Sequence, residues 1–418
     1  MSGAAFAVFL QRLSEFGLPP CPVCQSASGL PLSSQPLFLL GERYTLRSEA
    51  GCQGEQENAA GGEVDEAEAA HLRASWLSLP CCTYRAAFPP LPGGLTSDAG
   101  WGCTLRSGQM LLARALSCLV LGREWRWTAP PSGEVDAGGA AHAQLMHLFQ
   151  DEPGRPFGLH ALCEAGAACG VTAGAWLGPH ALCNALKAAA EAALGEHRLL
   201  VRVVSSGGGG APTLCRDDVL QAATRAHGTP APRIVLPVLP VADGNEGAQA
   251  PWTPVLLLVP LVLGLGRAVN PAYGPQLCAA LAMPQSVGIV GGRPGTSLYF
   301  VGVQGDAVLY LDPHEVQPHV AHDAHGEAAP FPVESYHCAT LRHMSLSGID
   351  PSLALGFFAP SKADFDSLCD SLQAQAEGAR AAPLLTVAAR AAAEGGAQRR
   401  EEGLSEGEGQ DADEWQVL

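Results

Sequence analysis

The chain has 418 residues, of which 47% are hydrophobic, so it is long enough to form one large domain or two ordinary ones. Its charge is acidic, with 24 Lys and Arg against 41 Asp and Glu and a formal net charge of −17. An acidic surface repels phosphate backbones and no local basic patch offsets it, so we expect no nucleic-acid partner.

The 14 cysteines are too sparse and too irregularly spaced for a disulfide-rich secreted domain. The N-terminus lacks a basic stretch followed by a long apolar run and a cleavage site. The longest apolar run, residues 255–263, contains Pro260 and has about half the length of a membrane-spanning helix. We therefore expect a soluble, cytoplasmic protein with reduced thiols.

The predicted elements of the first half begin with a flexible surface loop over 48–70, which is rich in Gly, Glu and Ala. Apolar residues at helical spacing then predict helices over 109–121 and 181–194. A strand over 199–204 and a helix over 216–227 follow. The glycines 207–210 between them lack the Lys and Ser or Thr of a phosphate-binding loop, so they are predicted to form a plain loop.

The second half is richer in strands. Apolar runs separated by Gly-rich turns predict strands over 255–263, 286–290, 297–303 and 307–312. From about Ala391 onwards apolar residues become rare and acidic residues accumulate, which predicts disorder. Helices early in the chain and strands late indicate an α+β fold.

The segment that ends in Gly-Trp-Gly-Cys103 is the most informative in the chain. Its glycines predict a tight approach loop, with a helix that begins at or just after the cysteine. The first turn of a helix has free N–H groups and a partial positive charge, which favour a thiolate and can bind an oxyanion. A buried structural cysteine is the ordinary alternative. The glycine-rich context predicts a nucleophile.

A thiolate nucleophile needs an imidazole base and a third group that orients the base. Asp312 and His314 are two residues apart, so on an extended segment both side chains leave the same face. Pro313 stiffens the link. An Asp-Pro-His sequence alone is usually a turn, so this prediction depends on the cysteine motif. Other histidines are expected at the surface, among them His142, His147 and His319.

The chain resembles the autophagins, the autophagy-related protein 4 family of cysteine proteases, which cut ubiquitin-like modifiers of the autophagy-related protein 8 family. The resemblance aligns Cys103, Asp312 and His314 with the catalytic triad of that family, and it implies a papain-like fold with a small auxiliary subdomain. The matching stretches occur in the order of the family and cover roughly residues 37–370: 39–44, 83–88, 96–112, 125–127, 176–179, 283–288, 291–294, 309–318 and 350–358.

Further roles follow from the resemblance. Tyr84 aligns with a tyrosine whose hydroxyl helps to hold the oxyanion, and neither a metal nor an organic cofactor is implied. Trp176 aligns with a residue that covers the active-site cleft until substrate lifts it, although core packing is the alternative for a tryptophan. The loop that aligns with the rest of this cover consists of Gly291, Gly292, Arg293 and Pro294.

The C-terminus carries an independent motif, in which two residues separate Trp415 from Leu418 and acidic residues precede them. Such a segment can add as a strand to the sheet edge of a partner. It resembles the LIR motif, by which autophagy proteins bind the same modifiers; docking on its own domain is the alternative. Cys21 and Cys24 could be half of a zinc site, but no second pair with matching spacing follows, so no metal is predicted.

The resemblance divides the chain into an N-terminal extension (1–36), a papain-like protease domain (37–370) and a mostly disordered acidic tail (371–418). A divergent auxiliary region at about 195–250 lies within the domain. The implied activity is cleavage after a glycine of modifier precursors and of modifiers conjugated to phosphatidylethanolamine, with contact to autophagic membranes only through the substrate.

Two alternatives remain open for the function. The first is a weakly active or inactive modifier-binding protein of the same fold, because the region 195–250 matches the family poorly and Leu298 replaces a residue that is usually polar. The second is a cysteine hydrolase that acts on a different ubiquitin-like protein.

Overall fold

The structure is a computed structural model that describes residues 33, 35–46, 64–128, 136–169, 172–206, 210–225, 234, 236, 252–321, 331, 333–380 and 382–389. Within these residues, helices pack against a nine-stranded mixed sheet, and two pairs of short strands lie outside it. The predicted α+β fold is confirmed. None of the helices in the described ranges is long and apolar enough to cross a membrane.

The strands of the described residues are, in chain order, β1 (Leu37–Leu39), β2 (Glu42–Tyr44), β3 (Tyr84–Ala86), β4 (Leu200–Val203), β5 (Thr213–Cys215), β6 (Val255–Val262), β7 (Ser286–Arg293), β8 (Thr296–Gln304), β9 (Ala307–Leu311), β10 (Val316–Pro318), β11 (Arg342–Ser345), β12 (Ser352–Ala359) and β13 (Thr386–Ala388).

The α-helices of the same residues are α1 (Glu66–Leu77), α2 (Cys103–Leu121), α3 (Ala137–His147), α4 (Leu159–Ala167), α5 (Pro179–Leu194), α6 (Arg216–Ala223), α7 (Gly274–Ala282) and α8 (Lys362–Gly378). Short 3-10 helices cover Pro271–Tyr273, Val333–Tyr336 and Leu346–Gly348.

The main sheet has the strand order β11-β9-β8-β7-β12-β6-β4, with β1 added to β8 and β2 added to β1. Neighbouring strands are antiparallel except for β4 and β6, which are parallel. Strand β12, the last of this sheet in the sequence, therefore lies at its centre between β7 and β6. Its nearly continuous apolar run suits this place, because a central strand is covered on both faces.

Two hydrophobic cores lie on opposite faces of the sheet. Helix α2 packs against β7 and β8 on one face, and α7 and α8 cover the other. Successive residues of β12 alternate between the cores, so Phe358 contacts the α2 side and Phe357 the α8 side. Helix α2 is buried almost all round, which explains why it is apolar on most of its surface. The sheet and α2 together hold the candidate site.

The loop prediction over 48–70 is wrong for residues 66–70, because α1 begins at Glu66. The side chain of Asp65 caps this helix by accepting hydrogen bonds from the N–H groups of Ala67 (3.0 Å) and Glu68 (3.1 Å). The buried face of the helix is carried by Leu72 and Trp76, which lie beyond the predicted loop. Residues 48–63 lie outside the described residues.

Helix α8 crosses the predicted boundary between 370 and 371, because Leu372 continues the buried stripe of Phe365 and Leu368 at helical spacing. Beyond it, β13 pairs with β5. Residues 390–418 lie outside the described residues. The predicted auxiliary region is described only in part, and its strand β4 belongs to the main sheet.

The surface prediction for the three histidines is wrong for His142, which is fully buried, and the His319 side chain is only 9% exposed. The ring of His142 lies between Trp125 and His337, with centroids 4.8 and 5.0 Å away. Its Nε2 lies 3.0 Å from Nε2 of His337, whose Nδ1 donates to the carbonyl of Leu77 (2.7 Å). His142 faces inward because it lies on the helical stripe of α3 with Leu145 and Met146.

Candidate active site

Cys103 is the first residue of α2, and the prediction that a helix begins at or just after it is confirmed. The helix has Gly102 at its N-cap with no side-chain cap, so N–H groups of its first turn remain available. A side chain at 102 would collide with Asp98, because an added Cβ would lie 2.3 Å from Oδ2 of that residue. Cys103 itself is only 4% exposed.

Asp312 and His314 follow directly after β9, in a turn rather than the extended segment that the sequence suggested. The Nδ1 of His314 donates to Oδ1 of Asp312 (2.6 Å), and the backbone N–H of His314 donates to the same oxygen (3.0 Å). The carboxylate therefore lies beside the ring as predicted. The turn, closed by the side-chain oxygen, produces this contact, and not the alternation of a strand.

Tyr84 is placed beside His314 by the parallel pairing of β3 with β10, in which Tyr84 lies opposite Val316. The N–H of Tyr84 donates to the carbonyl of Pro313 (2.8 Å). The two rings meet edge to face, with centroids 5.3 Å apart and planes at 83°. The Tyr84 hydroxyl also hydrogen-bonds Cys103. The structure thus brings together the four residues that the sequence selected: Cys103, Asp312, His314 and Tyr84.

The protonation of the site follows from these contacts. Burial alone would raise the pKa of Cys103, but hydrogen bonds from His314, the Ser297 backbone and Tyr84 outweigh it, and the pKa is lowered. Burial alone would lower the pKa of His314, but hydrogen bonds with Asp312 and Cys103 raise it to about 9. The arrangement stabilises a thiolate beside an imidazolium, the form in which a cysteine is a nucleophile.

The other two groups support this ion pair. Burial would raise the pKa of Asp312, but the hydrogen bonds and charge of His314, together with Arg342, lower it, so the carboxylate stays ionised. Burial and the neighbouring Cys103 raise the pKa of Tyr84, so its hydroxyl stays protonated and remains a hydrogen-bond donor.

Two contributions to the site were not predicted. The backbone N–H of Ser297 in β8 hydrogen-bonds Cys103. The Nη1 of Arg342 in β11 donates to Oδ2 of Asp312 (2.8 Å), because Arg342 lies opposite Tyr310 in the pairing of β11 with β9. Neither residue belongs to a local motif, since both reach the site through strand register.

Trp176 lies at the surface with 57% exposure, so core packing does not explain it. It borders a cavity of about 690 Å3 that is also lined by Thr104, next to Cys103, and by Ser297. The β7–β8 hairpin also lines this cavity, and it includes the predicted cover residues Gly291, Gly292, Arg293 and Pro294.

The prediction of a loop over 291–294 is wrong, because Gly291, Gly292 and Arg293 belong to β7 and pair with β8. Only Pro294 and Gly295 form the turn. Gly292 permits this tight hairpin, since an added Cβ would lie 1.8 Å from the carbonyl oxygen of Thr296.

Several predicted residues lie outside the described residues: Trp415 and Leu418 of the C-terminal motif, and the pair Cys21 and Cys24. Among the residues that the structure does describe, no group of three or more His, Cys, Asp or Glu side chains could hold a metal ion.

Comparison with known proteins places the chain among cysteine proteases. Residues 69–371 match the model of the peptidase C54 catalytic domain. Cysteine protease ATG4b of Arabidopsis thaliana is 39% identical over 375 residues, which cover 87% of this chain and 71% of the relative. Cysteine protease ATG4B of Oryza sativa subsp. indica is 37% identical, with 85% and 70% covered. Cysteine protease ATG4D of Xenopus laevis is 34% identical, with 81% and 71% covered. The matched domain and the α+β architecture confirm the predicted papain-like fold.

Proposed function

This chain belongs to the peptidase C54 family of cysteine proteases, and from that premise we propose that it cleaves ubiquitin-like modifiers of the autophagy-related protein 8 family after a glycine near their C-terminus. Cleavage of a precursor releases a peptide, and cleavage of the lipid conjugate releases phosphatidylethanolamine. One observation carries the proposal: Cys103 at the start of α2 is hydrogen-bonded to His314, which is hydrogen-bonded to Asp312. We propose that this cleavage takes place in the cytoplasm.

In the first step, the Cys103 thiolate attacks the glycine carbonyl, a C–S bond forms, and the carbonyl π electrons move to its oxygen. The backbone N–H of Cys103 and the hydroxyl of Tyr84 hydrogen-bond this oxyanion. His314 holds its Nδ1 on Asp312, so its Nε2 is the atom that faces the sulfur. Asp312 keeps the imidazolium charged and oriented.

In the second step, His314 gives the Nε2 proton to the leaving nitrogen while the C–N bond breaks, which leaves a thioester on Cys103. The leaving group is the amine of a peptide or of phosphatidylethanolamine. Neutral His314 then accepts a proton from water, the hydroxide adds to the thioester carbonyl, and the C–S bond breaks. The glycine leaves as a carboxylic acid that loses its proton to the solvent, and the thiolate–imidazolium pair is restored.

The cavity beside Trp176 supports a glycine-ended substrate. Gly291, Gly292, Gly295 and Trp176 are among the residues that line it. A tail that ends in glycine has no bulky side chain to accommodate beside Trp176 in this cavity. Trp176 and the turn at Pro294 cover the cavity and admit the substrate tail when displaced. The C-terminal Trp415 and Leu418 would add affinity for the folded part of the same modifiers.

The test is cleavage of a C-terminally extended modifier precursor by the wild type and by Cys103→Ala, followed by mass spectrometry of the product. Cleavage after glycine that is lost in the variant supports nucleophile and substrate class together. A wild type that binds the precursor without cutting it favours the binding-protein alternative. A wild type that is labelled at Cys103 only by a glycine-ended probe built on another ubiquitin-like protein contradicts the substrate assignment.

A further inference from the structure

A buried cluster of three charged side chains includes a residue of the helical turn that begins with Cys103. Arg106, in the first turn of α2, is 1% exposed, and its partners Asp98 and Asp151 are 0% and 2% exposed. The guanidinium donates from Nε to Oδ2 of Asp98 (2.7 Å), from Nη2 to Oδ1 of Asp98 (2.9 Å) and from Nη1 to Oδ1 of Asp151 (3.0 Å). We call these three residues the Asp98–Arg106–Asp151 cluster.

Within this cluster, Asp98 joins the two elements that carry the site. Its Oδ1 also accepts a hydrogen bond from the backbone N–H of Arg85 (2.7 Å), the residue after Tyr84 in β3. One carboxylate oxygen therefore binds both the strand of Tyr84 and, through Arg106, the helix of Cys103. The backbone carbonyl of Asp98 adds a third link, because it accepts from the N–H of Gly102 (2.9 Å), immediately before the nucleophile.

Asp151 has a different neighbour. Its Oδ1 accepts from the N–H of Leu159 at the start of α4 (3.2 Å), so it ties Arg106 to the helical layer and makes no such bond to β3. Both carboxylates are buried and both bind the same guanidinium. They differ in the second element that each one holds.

Stability alone explains such a cluster poorly. Removing ionised groups from water costs several kcal/mol each, and apolar residues of similar volume often fold as well or better. What ionised groups provide is direction, because a bidentate carboxylate fixes the guanidinium in plane and at hydrogen-bond distance. Here Asp98 fixes the position of β3 relative to α2, because it binds the N–H of Arg85 in β3 and the guanidinium of Arg106 in α2. The hydroxyl of Tyr84 and the sulfur of Cys103 meet across the same gap.

We propose that Asp98 is a positioning residue for oxyanion stabilisation: held by Arg106, it keeps β3 at the distance from α2 at which the Tyr84 hydroxyl reaches the oxyanion formed by Cys103. The inference rests on the proposed function, in which Cys103 attacks a glycine carbonyl and Tyr84 is a donor. Asp98 does not touch the substrate, and it acts through Tyr84.

The experiment is a double-mutant cycle on the full chain with Tyr84→Phe, Asp98→Asn and the combined variant. For each protein, kcat and KM are measured on a C-terminally extended modifier precursor. In the wild-type background we expect Tyr84→Phe to lower kcat by about 100-fold with little change in KM, as for the loss of one oxyanion donor. In the Asp98→Asn background we expect the same change to lower kcat by less than about threefold, because the hydroxyl is no longer in place.

The matched control is Asp151→Asn, which removes the other buried carboxylate from the same guanidinium. We expect it to lower the midpoint of thermal unfolding about as much as Asp98→Asn while keeping the full dependence of kcat on Tyr84. A Tyr84→Phe effect of equal size in the wild-type and Asp98→Asn backgrounds overturns the inference, as does a loss of Tyr84 dependence in both carboxylate variants.

A second variant covers the case in which Asp98→Asn does not fold. Arg106→Lys keeps the positive charge and loses the bidentate contact, so we expect a Tyr84 dependence between those of the wild type and of Asp98→Asn. Full Tyr84 dependence in Arg106→Lys overturns the inference. Failure of the proposed function gives a separate result, a wild type that does not cut the precursor, whereas failure of this inference leaves an active wild type with uncoupled variants.

Discussion

Replacing Asp312 with asparagine should move the alkaline limit of activity to lower pH. The substitution keeps the size of the side chain and removes the charge that faces His314 at 2.6 Å. Burial alone would lower the pKa of His314, and the contact with Asp312 is the largest of the effects that raise it to about 9 from an ordinary value of 6.5. The imidazolium that pairs with Cys103 exists only below that pKa. Activity therefore falls when the pH rises above the pKa of His314.

The size of the effect follows from the two pKa values. At pH 8, a histidine with a pKa of about 9 is about 90% protonated, whereas one returned to about 6.5 is about 3% protonated, a ratio of about 30. At pH 6 the same comparison gives about 100% and about 75%. The loss of kcat/KM in Asp312→Asn should therefore grow by about 10-fold or more between pH 6 and pH 8.

The assay is the pH profile of kcat/KM for precursor cleavage, which reports the groups of the free enzyme. The matched control is Arg342→Gln, which removes the charge bound to Oδ2 of Asp312 and leaves the contact between Oδ1 and His314 intact. We expect the alkaline limit of the control to move by less than half as much. An alkaline limit that stays in place in Asp312→Asn would refute the reasoning, because the carboxylate would then not hold the pKa of His314.

Three further predictions concern other parts of the molecule. Burial lowers the pKa of His142 to about 3 and the pKa of His337 to about 4, so below pH 6.5 the unfolded chain binds more protons than the folded chain. The free energy of unfolding measured in urea should therefore fall by about 2 kcal/mol per ring between about pH 8 and pH 5. The fall should be smaller in His142→Gln. Gly292→Ala should lower the thermal midpoint more than Gly295→Ala, because only the first adds a Cβ that collides with the hairpin backbone. A hydrogen bond from the buried thiol of Cys81 lowers the pKa of Cys338 to about 6, so peptide mapping after iodoacetamide treatment near pH 7 should find Cys338 alkylated. Buried Cys183 in α5, whose pKa burial raises to about 12, should remain free.

What the sequence could predict of the site was local. A glycine-rich turn followed by a helical apolar pattern fixes the start of α2, so the place of Cys103 at a helix N-terminus follows from neighbouring residues alone. The contact of Asp312 with His314 also lies within three residues, although a turn and not an extended strand produces it. The catalytic roles of these residues remain predictions.

The contributions that could not be predicted depend on register between distant strands. Arg342 reaches Asp312 because β11 pairs with β9 at one particular offset, and a shift by one residue would turn its side chain to the other face. The N–H of Ser297 reaches Cys103 in the same way. The fold shows the same division, because the apolar runs located β6, β7, β8 and β9, whereas β12 was not predicted and nothing local placed it between β6 and β7.

The central place of β12 also bears on the biosynthesis of the protein. A ribosome that has completed residue 314 has made Cys103, Asp312 and His314, but the strand that joins β6 to β7 ends only at Ala359. Until that strand emerges, the two parts of the sheet have no shared partner, and the long-range pairing that supports the site cannot close. We therefore expect a nascent chain to cut no substrate until β12 has emerged, and a fragment that ends before β12 to be inactive.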